Sequence, residues 1–119
     1  MKKRIAIVED DQDALKLLQI ILTLEGFQAD AYLQANDVLQ DNVKVPDLYL
    51  VDINLGNASG LDLCKQLKAQ TDTSHIPVIM ISSSTDIREQ TREACADDML
   101  AKPFTSKTLV QKIHEYLPA

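Results

Sequence analysis

Short apolar segments alternate with amphipathic segments five times along the chain. The apolar segments are bounded by turn residues and are too short for ordinary helices, so they are typical of buried strands. The segments between them repeat apolar residues at helical spacing. This alternation predicts an α/β fold in which a parallel sheet is covered by helices on both faces. Because no linker, repeat or low-complexity stretch interrupts it, we expect one domain over residues 1–119.

The pattern predicts the bounds of each element. The predicted strands are residues 5–8, 27–33, 47–52, 76–81 and 99–101. The predicted first helix ends at Gly26, and its apolar face comprises Ala14, Leu17, Leu18, Ile21 and Leu22. The next three predicted helices are residues 35–41, one that begins at Ser59, and residues 85–96. The last begins at a cap, Thr105 or Ser106, and its apolar face comprises Leu109, Val110, Ile113 and Leu117.

The third strand carries an acidic residue, Asp52, at the end of a wholly apolar run. A buried carboxylate is costly unless it is paired or bound to a cation. Asp52 therefore has two explanations: it caps the next helix or accepts hydrogen bonds from loop amides, or it belongs to a charged site. The residues that end the other strands favour the second explanation.

Polar residues end three further strands. Glu9 and Asp10 follow the first strand, Ser82 the fourth and Lys102 the fifth. Right-handed crossovers place the carboxyl ends of all parallel strands at one edge of the sheet, where open α/β sheets bind their ligands. We therefore expect three carboxylates, including that of Asp52, a hydroxyl and an ammonium group in one crevice.

Three neighbouring carboxylates repel one another, which predicts a cation between them. Mg²⁺ prefers oxygen ligands and keeps waters that a phosphoryl oxygen can replace. The candidate ligands are Glu9, Asp10, Asp52 and the backbone carbonyl of Asn54. Together with Lys102, one Mg²⁺ balances the charge of the three carboxylates.

This set of groups favours phosphoryl chemistry. The Asp52 carboxylate is the candidate nucleophile, since a carboxylate attacks phosphorus to give an aspartyl phosphate. Lys102 and the Ser82 hydroxyl are placed to stabilise the charge on the transferring oxygens.

Four short motifs resemble those of the receiver domains of two-component response regulators. They are Val8-Glu9-Asp10-Asp11, Asp52 with Gly60 eight residues on, Ile81-Ser82 and Ala101-Lys102-Pro103-Phe104. The resemblance covers the whole chain, with the motifs in the family's order and at similar spacing. It implies a flavodoxin-like, doubly wound (βα)5 fold with the strand order 2-1-3-4-5.

The resemblance also implies a function. Asp52 would accept a phosphoryl group, with the help of Mg²⁺, from a sensor histidine kinase or a histidine phosphotransfer protein. Ser82 would then move and reshape the face formed by the fourth helix, fifth strand and fifth helix, which an effector protein or an output domain would read. The Lys102–Pro103 bond would be cis. The chain would catalyse only its own phosphorylation and dephosphorylation, so we expect no other enzymatic activity.

Several positions depart from the family pattern, among them Met99, Cys95, Gly56, Ser83 and Ser84. Met99 stands where an aromatic ring is usual; we expect it to fill a gap in the core, which puts in doubt any coupling of Ser82 to a moving ring. Gly56 replaces a common proline and is expected to loosen its loop. Ser84 lacks the carboxylate or amide that would orient a hydrolytic water, so we expect the phosphoryl group to persist.

Two alternative functions stay open. One is a phosphorylation-independent interaction module with the same fold, which the complete set of charged residues disfavours. The other is a phosphatase of the haloacid-dehalogenase type, which also forms an aspartyl phosphate. That family has a second acid two residues after its nucleophile, where this chain has Asn54, and the chain has no room for a substrate cap.

Composition excludes other classes. The formal net charge of -6 argues against direct nucleic-acid binding. The longest apolar runs are far shorter than a bilayer span, and the basic start has no apolar region behind it to make a secretory signal. Cys64 and Cys95 occupy apolar helical positions and are expected to be buried thiols. We therefore expect a cytoplasmic protein with no membrane partner.

Overall fold

The computed structural model describes residues 2–40, 43–56, 58–83, 91–92, 94 and 96–118. Its strands are β1 (Arg4–Val8), β2 (Gln28–Tyr32), β3 (Leu48–Asp52), β4 (Asn54–Leu55), β5 (Ala58–Ser59), β6 (Val78–Ser82) and β7 (Asp98–Ala101). Five of them form one parallel sheet in the order β2-β1-β3-β6-β7. Counted among the sheet strands alone, this is the predicted order 2-1-3-4-5. The predicted α/β class and topology are confirmed.

The helices are α1 (Gln12–Leu24), α2 (Ala35–Val38), α3 (Gly60–Ala69) and α4 (Ser106–Tyr116). Successive strand residues point to opposite faces of the sheet, so each strand supplies two separate cores. The first core packs the sheet against α1 and α4 and includes Ile5, Ile7, Leu50, Leu18 and Leu109. The second packs the sheet against α3 and includes Ala6, Val8, Val51, Leu63 and Leu67. Helices on both faces, as predicted, explain why the central strands are apolar throughout.

Side chains cap three of the helices. Asp11 accepts hydrogen bonds from the N–H groups of Asp13 and Ala14 at 2.9 and 3.2 Å. The Ser59 hydroxyl accepts one from the N–H of Leu61 at 3.2 Å, and so caps α3 where the sequence predicts its start. Of the two predicted caps of the last helix, the structure selects Thr105. These caps satisfy N–H groups that a helix leaves unpaired in its first turn.

The predicted apolar face of α1 is partly wrong. Leu17, expected in the core, is 58% exposed, whereas Leu15 is buried. Ile20 and Leu24 share the exposed face and are 49% and 82% exposed. Apolar residues occur all around this helix, so two phases of the helical repeat fit the sequence equally well. Packing against the sheet selects the phase of Leu15, Leu18 and Leu22.

Some element bounds also differ from the prediction. Helix α2 ends at Val38 rather than at residue 41, and β6 begins at Val78, after Pro77, rather than at Ile76. Proline lacks the N–H group that a central strand needs for its ladder. The predicted fourth helix, residues 85–96, lies largely outside the described residues. The helix that the sequence predicts as the fifth is therefore labelled α4.

The two cysteines differ in what the structure describes. Cys64 is buried and its thiol donates a hydrogen bond to the carbonyl of Ala94 at 3.3 Å, which confirms the predicted buried thiol. Cys95 lies outside the described residues. In the described part of the chain, no helix is both long enough and apolar enough to cross a membrane.

Candidate functional site

The carboxyl ends of β1, β3, β6 and β7 meet at one edge of the sheet. Asp52 and Ser82 are the last residues of β3 and β6, and Glu9 and Lys102 directly follow β1 and β7. Backbone hydrogen bonds continue past the strand ends, since the N–H of Lys102 donates to the carbonyl of Ser82 at 2.7 Å. The sheet ladder therefore fixes the backbone from which these four side chains project.

Lys102 pairs with two buried carboxylates. Its Nζ donates a hydrogen bond to Oδ2 of Asp52 and another to Oε1 of Glu9, the latter at 3.2 Å. Glu9 is 3% exposed and Asp52 is 6% exposed. Because both carboxylates are removed from water, the ammonium group is the nearby charge that offsets the cost of burying them. The structure thus brings together three residues that the sequence predicted to meet.

The second oxygen of Asp52 is also occupied. Oδ1 accepts a hydrogen bond from the backbone N–H of Asn54 at 2.8 Å. Asp52 therefore both accepts from a loop amide and belongs to a charged site, so two of the explanations left open by the sequence apply together. It is not the cap of α3, because Ser59 has that role.

Burial and charge shift the pKa values at this site. Burial, and then the neighbouring charge of Asp52, raise the pKa of Glu9 to about 7, although Lys102 acts in the opposite direction. Partial burial lowers the pKa of Lys102, but its hydrogen bonds and charge interactions with Asp52 and Glu9 outweigh burial and raise it. The lysine is therefore held as an ammonium ion, while the Glu9 carboxyl gains and loses its proton near neutral pH.

Asp10 is the exposed member of the acidic pair. Its backbone N–H donates to Oε2 of Glu9 at 3.1 Å, while its side chain faces solvent beside Gly56. Across the described ranges, no group of three or more His, Cys, Asp or Glu side chains is placed to hold a metal ion together. Mg²⁺ is usually bound by one or two carboxylates and several waters, so the oxygen donors of Asp10, Asp52 and Glu9 suit it as an open site.

Asn54 has its polar groups engaged locally. Its N–H is bonded to Asp52, and its side-chain oxygen accepts a hydrogen bond from the N–H of Gly56 at 3.2 Å. Asn54 begins the short antiparallel hairpin formed by β4 and β5, which the sequence analysis did not predict. Gly56 therefore follows β4 at the turn of this hairpin with a positive φ of +73°, and its expected loosening of the loop stays a prediction. A glycine followed by Asn57, in a two-residue loop, is the signal that would have predicted the hairpin.

Gly60 contacts the backbone of the candidate nucleophile. A Cβ atom built on Gly60 would lie 2.1 Å from the carbonyl oxygen of Asp52. The N–H of Gly60 also donates to the carbonyl of Ile53 at 2.7 Å. Only glycine fits here, so Gly60 holds the first turn of α3 against the end of β3. Sequence reasoning used Gly60 as part of a motif and missed this contact.

The three predicted switch residues have different surroundings. Ser82 is buried at the sheet edge, and the Lys102–Pro103 bond is cis, as predicted. Met99 is half-buried and lines an open cavity of about 410 Å³, whereas we expected it to fill a gap inside the core. Its Sδ lies 3.9 Å from the hydroxyl of Thr91, which donates to it. Ser84 lies outside the described residues.

Comparisons with known proteins agree on one family. The model of the response regulator receiver domain matches residues 5–114. The chain is 37% identical over 118 residues to the phosphate regulon transcriptional regulatory protein PhoB of Escherichia coli (strain K12), covering 95% of this chain and 51% of that protein. It is 32% identical over 120 residues to PhoB of Rhizobium meliloti (strain 1021), covering 98% and 53%. The chain thus spans about half the length of these curated relatives.

A solved structure extends the likeness to three dimensions. The BeF3-activated receiver domain of DrrB from Thermotoga maritima superposes with a TM-score of 0.88 at 26% identity, over 100% of both chains. Sequence and fold therefore lead to the same family.

Proposed function

The chain belongs to the response regulator receiver domain family, and on that premise we propose that it is a phosphoacceptor switch in a two-component phosphorelay. The observation that supports this proposal is the setting of Asp52. Its carboxylate is buried at the sheet edge, with Lys102 on one oxygen and a backbone N–H on the other. These two donors orient the carboxylate and leave the crevice side for a phosphoryl donor.

The proposed reaction moves one phosphoryl group. An oxygen of Asp52 attacks the phosphorus of a phosphohistidine, a P–O bond forms as the P–N bond breaks, and the imidazole leaves with that electron pair and takes up a proton. Lys102 and the Ser82 hydroxyl then donate hydrogen bonds to the phosphoryl oxygens. Glu9, Asp10 and Asp52 would hold Mg²⁺, which when bound offsets the charge of the carboxylates and the incoming phosphoryl group. We propose no other enzymatic activity for the chain.

The proposed partners act on either side of this step. The donor is a sensor histidine kinase or a histidine phosphotransfer protein in the cytoplasm. Helix α1 begins just after the acidic pair, and the exposed face formed by Leu17, Ile20 and Leu24 along its second half is a suitable contact for such a donor. The target is an effector protein or an output domain, and the PhoB relatives are named as transcriptional regulators.

The first experiment is an intact-mass measurement after incubation with acetyl phosphate. We expect one labile phosphoryl adduct that requires Mg²⁺ and is absent from Asp52→Asn. Asp72→Asn, which changes an exposed acid in a loop remote from the crevice, is the matched control and should keep the adduct. A stable protein that forms no adduct, or an adduct that persists in Asp52→Asn, contradicts the proposal and favours the phosphorylation-independent interaction module.

A further inference from the structure

A small cavity lies at the edge of the sheet opposite the charged crevice. Its volume is about 130 Å³, and it is enclosed by the end of α2, the residues that lead into β3 and the loop that leads from α3 towards β6. The buried side chains of Val38 and Leu67 form apolar walls, and the exposed residues Lys44 and Asp72 lie at its rim. These two rim charges have opposite sign, so the cavity offers a charged occupant no net counter-charge. It therefore suits a neutral molecule.

Tyr49 lines this cavity from β3. The residue is only 2% exposed, and among the described residues its hydroxyl has no hydrogen-bond partner. In the same part of the chain, no polar side-chain atom that lacks a partner is sealed from solvent, so the hydroxyl reaches the space of the cavity. Burial, and then the neighbouring Tyr32, raise the pKa of Tyr49 to about 12. The hydroxyl therefore keeps its proton and can both donate and accept a hydrogen bond there.

The other buried hydroxyl of the cavity wall has a different setting. Thr73 is 7% exposed, and its hydroxyl donates a hydrogen bond to the backbone carbonyl of Leu67. This is the usual arrangement, since most buried polar side chains are hydrogen-bonded. The hydroxyl of Tyr49 is thus the polar group of the wall that is available to a ligand. A cavity with apolar walls and one such polar group has the character of a small ligand site.

We propose that this cavity binds a small neutral molecule of the phenol class. Its ring packs against Val38 and Leu67, and its hydroxyl forms a hydrogen bond with that of Tyr49. A single ring suits the volume, since an engineered cavity of about 150 Å³ binds benzene. Water would satisfy the hydroxyl but would gain little from the apolar walls, which favours an occupant that is both polar and apolar. The proposal goes beyond the proposed function, because the residues that line the cavity are not those of the crevice.

The test is a titration of isotope-labelled protein with phenol, followed through the amide signals in NMR spectra. We expect saturable shifts at Tyr49, Leu67 and Thr73, with a Kd of about 1 mM, which is ordinary for a ligand of this size. Tyr49→Phe keeps the ring and removes only the hydroxyl, so it should weaken phenol binding by about fivefold, the effect of one hydrogen bond. Toluene has no hydroxyl and should bind the wild type and Tyr49→Phe equally.

Tyr32→Phe is the matched control, because Tyr32 packs against the same core as Tyr49 but lies outside the residues that line the cavity. This variant should bind phenol as the wild type does. A wild type without saturable shifts overturns the proposal and means that the cavity holds only water. Equal phenol affinity in Tyr49→Phe and the wild type, or an equal loss in Tyr32→Phe, also overturns it. These titrations use neither phosphate nor Mg²⁺, so their result does not depend on whether Asp52 accepts a phosphoryl group.

Discussion

Replacing Glu9 with glutamine should change how the stability of the metal-free protein depends on pH. Glu9 is buried between Lys102 and the backbone N–H of Asp10, and its pKa is raised to about 7. An unfolded glutamate has a pKa near 4.5. Between these two values the folded protein keeps a proton that the unfolded chain has released.

The sign follows from proton linkage. Where the folded state binds more protons than the unfolded state, the free energy of unfolding falls as pH rises. The contribution of Glu9 is therefore fully present below pH 4.5 and is lost as pH rises through about 7. A pKa difference of this size corresponds to roughly 3 kcal/mol of unfolding free energy. Glutamine has the same shape and no charge, so the free energy of unfolding of Glu9→Gln should not fall in this way as pH rises.

Urea denaturation at pH 5 and pH 8, with metal chelated, measures the effect. Between pH 5 and pH 8 the free energy of unfolding of the wild type should fall by about 2.5 kcal/mol more than that of Glu9→Gln. Glu25→Gln, which changes an exposed glutamate at the end of α1, should behave like the wild type. If Glu9→Gln and the wild type show the same pH dependence, the reasoning from burial is refuted.

Three further changes test the site and its surroundings. Gly60→Ala should lower the free energy of unfolding by about 3 kcal/mol in urea denaturation, because its Cβ would overlap the Asp52 carbonyl oxygen. Lys102→Met leaves two buried carboxylates without their cation, so it should lower the free energy of unfolding by about 2 kcal/mol at pH 8. The loss should be smaller at pH 5, where Glu9 is protonated. The double change Leu17→Gln and Leu24→Gln should slow phosphoryl transfer from a phosphohistidine protein by about tenfold, but not from acetyl phosphate.

Each of these has an outcome that contradicts it. A Gly60→Ala protein as stable as the wild type would mean that α3 moves away from β3 at little cost. A loss in Lys102→Met that is equal at both pH values would mean that Glu9 is not its titrating partner. Slower reaction of the Leu17 and Leu24 variant with acetyl phosphate would locate the defect at Asp52 instead of at the donor contact.

The sheet and its edge could be predicted from the sequence because their signals are local. Strands that are apolar on both faces indicate a parallel sheet, and the residues that follow each strand are then known to share an edge. Glu9, Asp52 and Lys102 were predicted to meet on this basis, and the structure brings them together. The phase of α1 had no such signal, because Leu15 and Leu17 fit the helical repeat equally well.

Features that depend on contacts between distant residues could not be predicted. The strands β4 and β5 have two residues each, too few to show a period, so the hairpin was missed. The approach of Gly60 to Asp52, and of Gly56 to Asp10, exists only after α3 and the hairpin have packed. Likewise, the raised pKa of Glu9 follows from the depth of its burial and from the charge of Asp52, neither of which a spacing in the sequence reveals.

The pairing of Lys102 also suggests a route by which a change in charge at Asp52 would affect the neighbouring strand ends. In the resting site one ammonium group serves both Asp52 and Glu9. Phosphorylation would replace the single charge of Asp52 with about -1.5 to -2 on a bulkier group farther into the crevice. Lys102 would follow that group, because the stronger charge-assisted hydrogen bonds lie there. Its backbone N–H is bonded to the carbonyl of Ser82, so Lys102 links the ends of β6 and β7 to the charges in the crevice. The sheet edge that holds the resting charges is thus also the element that their rearrangement would move.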